Sequence, residues 1–188
     1  MSHDPTMLPD DLPAPADDGA ADHLPGSRMP PLALPSTDGG QVRVDHVPAP
    51  FDYLVVYAYP RTGRPGAAPP PGWDDIPGAR GCTPETCGFR DHHAELAALG
   101  ASVLGLSTQG TAYQQEAVER LRLPFPLLSD ASLALTRAAR LPTFVAAGET
   151  LVKRLTLLVD DGRVSRLWYP VFPPDGHAAE VVHELSAR

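Results

Sequence analysis

Tyr53-Leu54-Val55-Val56-Tyr57-Ala58-Tyr59 constrains this chain more than any other stretch. Seven consecutive apolar, β-branched or aromatic residues match a strand covered on both faces, because a strand with one wet face would alternate. A strand of that kind needs helices on each side and strands as neighbours, which points to an α/β domain. Pro60 ends the run, since it has no N–H for a ladder. Residues 61–80 then hold Pro65, Pro69, Pro70, Pro71 and Pro77 among glycines, a loop longer than the roughly 12–15 residues of ordinary connections. Trp73 and Ile76 are the expected pins that hold it down. The loop leads directly into Gly81-Cys82-Thr83-Pro84-Glu85-Thr86-Cys87-Gly88-Phe89-Arg90-Asp91, which carries both cysteines of the protein.

The other segments supply what a buried strand requires. Met29 to Pro35 and Gln41 to Asp45 flank a Ser36-Thr37-Asp38-Gly39-Gly40 turn signal and read as two edge strands. Apolar residues at three- and four-residue steps predict a helix over 84–99, stopped by Gly100. Residues 101–107 read as a second buried strand and 111–121 as an amphipathic helix capped by Thr108 or Thr111. Residues 123–130 read as a short connection and 131–140 as a short helix. Residues 151–159 read as a third strand, turning at Asp160-Asp161-Gly162 into a hairpin partner at 163–169. A helix over 176–187 closes the chain. A β-α-β unit followed by a hairpin and a final helix is the order of a thioredoxin-like fold, an α/β architecture with a central mixed β-sheet flanked by helices. The fold is expected over residues 29–188. Residues 1–28 form an acidic, proline-rich extension: the first 27 contain six Asp and no Lys or Arg. That composition buries little and is expected to be mobile, unless Leu8, Leu12 and Leu24 dock it.

Charge and length narrow the function classes. A net charge of −8 argues against nucleic acid or an anionic membrane as partner. No apolar run approaches the roughly 20 residues of a membrane span, and the N-terminus does not read as a signal peptide. A cytoplasmic location follows as the expectation. There thiols stay reduced, so two close cysteines read as reactive or metal-binding.

The cysteine stretch reads as a loop turning into a helix. Pro84 suits a first turn, Thr83 is the expected N-cap, and Glu85 places a carboxylate near the helix start. Cys82 then sits just before a helix N-terminus, where N–H groups favour a thiolate. An ordinary cysteine is only about 3% thiolate at pH 7, so activation also needs positive charge. Arg80 and Arg154 are the candidates. Positions i and i+5 of a helix have Cα atoms roughly 8.7 Å apart. A disulfide needs them within about 7 Å. Cys82 and Cys87 can therefore bond only if the first turn unwinds. A zinc site from Cys82, Cys87, His92 and His93 is disfavoured, because all four lie along one helix and point in different directions.

These residues resemble the active-site segment of the peroxiredoxins, specifically the bacterioferritin-comigratory-protein (Q-type) group. Supporting segments are Tyr57-Ala58-Tyr59-Pro60, Leu104-Gly105-Leu106-Ser107-Thr108, Phe125-Pro126-Leu127-Leu128-Ser129-Asp130 and 153–160. The resemblance implies a thiol peroxidase without cofactor or metal, acting on hydrogen peroxide or organic hydroperoxides. It implies Cys82 as the peroxidatic cysteine that becomes a sulfenic acid, and Cys87 as the resolving cysteine that closes an intramolecular disulfide. It implies Arg154 as the active-site arginine, Glu85 as its orienting carboxylate, and Pro60 as the opening proline of a Pro-x3-Thr-x2-Cys motif. The implied partner is thioredoxin or a similar dithiol. The chain departs from this motif in two ways. Pro60 and Cys82 are 22 positions apart, and Ala79 stands where the threonine belongs. Thr83, Thr62 folded back by the loop, or a backbone N–H are the candidate substitutes. A non-enzymatic redox sensor or interaction protein built on the same cysteine pair is the alternative reading.

Overall fold

A computed structural model describes residues 4–9 and 11–188. Its centre is a five-stranded mixed sheet. Strand β1 (Ala33–Pro35) and β2 (Gln41–Arg43) form a separate antiparallel pair. Strand β3 (Tyr53–Ala58) is the buried run. After the long loop come α1 (Cys82–Asp91), α2 (His93–Ala98), β4 (Ala101–Ser107) and α3 (Thr111–Leu121). Then follow β5 (Leu127–Ser129), α4 (Ala134–Ala139), β6 (Thr143–Ala146), β7 (Glu149–Val152), β8 (Leu155–Asp160), β9 (Arg163–Trp168) and α5 (His177–Ser186). The sheet order is β5-β4-β3-β8-β9, with β3, β4 and β5 parallel and β8 and β9 antiparallel to their neighbours. This is the thioredoxin-like arrangement.

Alternation along β3 divides the core. Leu54, Val56 and Ala58 face one layer with Leu106, Leu135 and Leu157. Val55, Tyr57 and Tyr59 face the other, with Phe89, Leu96, Val103 and Val181 from α1, α2, β4 and α5. Both layers are buried, so the unbroken apolar run is a consequence of burial on two sides. Tyr57 stacks on Phe89 at 4.3 Å between ring centroids, which fixes α1 against the sheet. Gly105 opposes Tyr57 in the ladder, and a Cβ there would lie 2.7 Å from the Tyr57 hydroxyl. The large side chain on one strand therefore needs none on the next.

Four local readings change. The helix read over 84–99 is two helices, because His92 leaves helical geometry at φ −94 and ψ 6. The strand read over 151–159 is β7 and β8, interrupted at Lys153-Arg154, and β7 pairs with β6 rather than with the main sheet. Apolar pattern does not say which partner strand a segment joins, so the break is tertiary in origin. The segment read as a connection at 123–130 contains a sheet strand, β5. Gly110, not a threonine, precedes α3.

The core begins earlier than residue 29. Ala21 and Leu24 are buried in the layer below β3. Gly26 N–H donates to the Val164 carbonyl (2.8 Å), and Met29 N–H to that of Gly162 (2.9 Å). Upstream, Asp18 bonds Lys153 Nζ (2.5 Å) and the Tyr169 hydroxyl (2.6 Å). These contacts lay the acidic segment along the domain.

Candidate active site

The first turn of α1 is set by Gly81. It stands at the N-cap with φ 101, and a Cβ there would overlap the Pro174 ring. Only glycine combines that left-handed backbone with that close approach. Thr83 is therefore not the N-cap. It is the second residue of the helix, and Cys82 is the first, one step inside the turn. Cys82 lies at an end of the helix where backbone N–H groups lack intrahelical partners.

The surroundings of the Cys82 sulfur come from three distant segments. Arg154, in the break between β7 and β8, donates from Nη2 to Sγ at 3.2 Å. The backbone N–H of Arg61 points to the same sulfur at 3.4 Å. The thiol lies 3.5 Å from the Ala79 carbonyl. Pro60 is buried immediately before Arg61. Thus the long loop leaves the site at Pro60-Arg61 and returns to it at Ala79-Arg80, and 22 positions of sequence separation disappear in space. Trp73 closes the excursion by burying itself against Ala79, Ala146 and Leu151, with half-buried Ile76 beside it.

Arg154 is itself held through its two terminal nitrogens, while its buried Nε has no partner among the described residues. Its Nη1 bonds Glu85 Oε2, and its Nη2 also donates to the carbonyl of Arg80 at 2.9 Å. Both members of the pair are inside the protein, with side chains 2% and 0% exposed. Among the described residues the second carboxylate oxygen, Glu85 Oε1, has no donor. Burial pushes Glu85 up to about 7, against the pull of Arg154. Arg154 divides its charge between the Glu85 carboxyl and the Cys82 sulfur. Burial also pushes the Cys82 thiol up; Arg154 and the Arg61 N–H act against that, while Glu85 adds to it. Desolvation of the buried Cys82 is the largest of these influences, ahead of the arginine. Arg80 does not serve as an activator. Its guanidinium pairs with Asp74 at 3.1 Å and reaches the Met7 carbonyl, and its backbone oxygen holds Arg154.

Cys87 is free and half-buried, on the same helix as Cys82. Burial raises its pKa too, with Arg90 as the main opposing charge. The histidines of the disfavoured zinc reading go elsewhere: His92 pairs with Glu95 at 2.5 Å, and His93 lies 5.8 Å from the Phe125 ring. Among the described residues no three His, Cys, Asp or Glu side chains converge on a metal position.

Cys82 opens onto a cavity of about 240 Å³. The loop builds much of it, including Arg61, Thr62, Gly63 and Trp73, and Thr83 contributes from the helix. Thr62 and Thr83 are both buried. Thr83 Oγ1 accepts the Gly63 N–H at 3.3 Å, and Thr62 is tied to Gln109. Gln109 and the Arg61 N–H carried no sequence signal. A backbone donor is anonymous in sequence, and Gln109 belongs to a different strand-to-helix connection.

A thioredoxin-like sheet with a buried cysteine at the start of α1 and an arginine on its sulfur matches the redoxin family, whose profile covers residues 24–184. The putative peroxiredoxin bcp of Coxiella burnetii is 32% identical over 164 residues, covering 85% of this chain and 97% of that protein. The peroxidoxin BcpB structure from Mycobacterium tuberculosis superposes with a TM-score of 0.68 at 30% identity, covering 87% of this chain and 97% of the other. The bacterioferritin comigratory protein of Xanthomonas campestris gives a TM-score of 0.64 at 25% identity, over 94% and 98% of the two chains. The chain belongs to the redoxin family, as a peroxiredoxin of the Bcp and peroxiredoxin Q kind.

Proposed function

We propose that the protein is a thiol-dependent peroxidase with Cys82 as its nucleophile. The carrying observation is the Cys82 sulfur at a helix start, with Arg154 Nη2 and the Arg61 N–H both directed at it. The thiolate attacks one oxygen of hydrogen peroxide or an organic hydroperoxide. An S–O bond forms, the O–O bond breaks, and the departing alkoxide or hydroxide takes up a proton. The product is a sulfenic acid. The Cys87 thiol then displaces water from it and closes an intramolecular disulfide. A dithiol such as thioredoxin reduces that disulfide and regenerates both thiols. The cycle needs a reducing compartment such as the cytoplasm.

Arg154 stabilises the thiolate and the charge that develops on the transferring oxygens, and Glu85 orients it. Pro60 fixes the start of the segment that presents the Arg61 N–H. Thr83 anchors the departing end of the loop through Gly63. Both cysteines occupy α1, so the disulfide requires the first turn to unwind, and reduced and oxidised forms differ there. Hydrogen peroxide, taken as two water volumes, fills roughly a quarter of the cavity over Cys82. That leaves room for an organic substituent, and alkyl peroxide reduction is ascribed to the Xanthomonas campestris protein.

Stopped-flow mixing of the reduced protein with peroxide, with mass analysis of the product, tests this reading. Oxidation should place one oxygen on Cys82 in Cys87→Ser protein and an 82–87 disulfide in the unmodified chain. Full peroxide consumption by Cys82→Ser protein would overturn it.

A further inference from the structure

Residues 4–9 and 11–18 precede the stretch that matches the redoxin profile, which begins at residue 24, yet they lie against the start of α1. Pro5 is buried and lines the cavity onto which Cys82 opens. The Met7 carbonyl accepts a hydrogen bond from Arg80 Nη2 (3.3 Å). Leu8 is half-buried, and its Cδ2 lies 3.2 Å from where a Cβ on Gly81, the N-cap of α1, would stand. Leu8 also shares a groove with Pro84 and Pro174. Further along, the Pro15 ring lies 3.4 Å from where a Cβ on Gly78 would stand. Asp18 ties the far end to Lys153, next to Arg154, and to Tyr169. The segment is thus fixed at one end and seated on Arg80, Gly81 and Pro84 at the other, on both sides of Cys82.

Those are the residues that must move for the Cys82–Cys87 disulfide, which requires the first turn of α1 to unwind. Unwinding moves Gly81 and Pro84 relative to Leu8 and returns the apolar surface packed between them to water. The donors at the Cys82 sulfur come from Arg154 and Arg61, not from this segment, so it bears on the turn and not on the thiol. Once Cys82 is a sulfenic acid, two reactions compete. In one, the Cys87 thiolate attacks its sulfur, an S–S bond forms, the S–O bond breaks, and the hydroxide leaves as water. In the other, the sulfenate sulfur attacks a second peroxide, a second S–O bond forms, the O–O bond breaks, and water departs from a sulfinic acid. Only the first needs the turn open, so its rate scales with the open fraction.

We propose that the N-terminal segment is a clamp on the first turn of α1, with Leu8 as its positioning residue. It holds Cys82 in the wound form that meets peroxide and slows the opening that brings Cys87 to the sulfenic acid. This rests on the peroxidase reading. The clamp thereby sets how the sulfenic acid divides between disulfide and sulfinic acid.

Stopped-flow fluorescence of the full-length reduced protein tests it, with Trp73 in the wall of the Cys82 cavity as reporter. The first phase depends on peroxide concentration; the second, disulfide closure, does not. Leu8→Asp should speed closure about tenfold and leave the first phase within about threefold. Leu8→Met should behave as the unmodified protein does. At excess hydrogen peroxide, intact-mass analysis of Leu8→Asp protein should show the ratio of sulfinic acid to disulfide falling about tenfold. Leu24→Ala controls for general loss of stability, because Leu24 is buried in the core layer on the other face of the sheet from Cys82. It should lower stability in urea and leave the ratio unchanged. An unchanged closure rate in Leu8→Asp protein, an equal shift in Leu24→Ala protein, or a first phase altered as much as closure would each overturn the proposal. If Cys82 of the unmodified protein gains no oxygen from peroxide, the peroxidase reading itself fails, a distinguishable outcome.

Discussion

Cys82 and Cys87 lie on one helix, five positions apart, in very different surroundings. Cys82 is buried beneath the loop, with an arginine and a backbone N–H on its sulfur. Cys87 is half-exposed, and burial raises its pKa with only Arg90 and Arg120 in opposition. Burial alone does not distinguish them, because it raises both thiols. The donors do. A sulfur with converging N–H groups can stabilise negative charge on itself and on an attacked oxygen. A half-exposed thiol without such donors is suited to the later condensation, once α1 opens.

The sharpest way to break that contrast is to remove each sulfur. Cys82→Ser should lose at least a thousandfold of peroxide reactivity, whereas Cys87→Ser should keep the first oxidation within about twofold and lose only the disulfide. Stopped-flow fluorescence and intact-mass analysis read both.

Removing the donor comes next. Arg154→Met should slow Cys82 oxidation about 100-fold. It should also destabilise the fold by about 3 kcal/mol or more in urea titrations, because Glu85 remains buried without its partner. Arg154→Met combined with Glu85→Gln should restore stability but not rate. Recovery of both would mean that the arginine matters only as a structural counter-ion.

A smaller effect is expected from the helix start. Gly81→Ala places a Cβ against Pro174 in a left-handed backbone, and it should cost about 1–3 kcal/mol by denaturant unfolding. Peroxide oxidation at Cys82 should fall more than alkylation of Cys87, since only Cys82 adjoins the disturbed turn.

The last contrast is a pH dependence. Glu85 has a folded pKa of about 7, above its ordinary value of 4.5. A carboxyl raised on folding binds its proton more tightly in the native state, so its stabilising effect is full below about pH 4.5 and is lost as pH rises toward 7. Stability of the unmodified protein should therefore decline over that window relative to Glu85→Gln. Parallel pH–stability curves for the two proteins would show that Glu85 is not raised.

Much of the frame was legible because it follows from local chemistry. The apolar run of β3, the helix-start signals around Pro84 and the Asp160-Asp161-Gly162 turn of the hairpin each declare themselves within a few residues. The β7–β8 break was not legible, because Leu151-Val152 and Leu155-Thr156-Leu157 are equally good strand formers and differ only in which strands they meet. The N-terminal contribution was masked by composition: aspartates and prolines surround Ala21 and Leu24, which the core nevertheless buries. Among site residues, Cys82, Cys87, Glu85 and Arg154 were named from sequence. Gln109 was not, since a glutamine in a connection has no distinctive spacing to any cysteine.

By itself the sequence determined the nucleophile candidates, the α/β class and the mechanical condition that the two cysteines cannot bond across an intact helix. Those depend on residue type, hydrophobic period and helix geometry, all of which act over short separations. Only the tertiary structure decided that Arg154 meets the sulfur, that Arg80 does not, and that Pro60-Arg61-Thr62 closes over Cys82 despite the insertion. Such contacts join segments 20 to 72 positions apart, and their distances are set by the packing of sheet, loop and helix together.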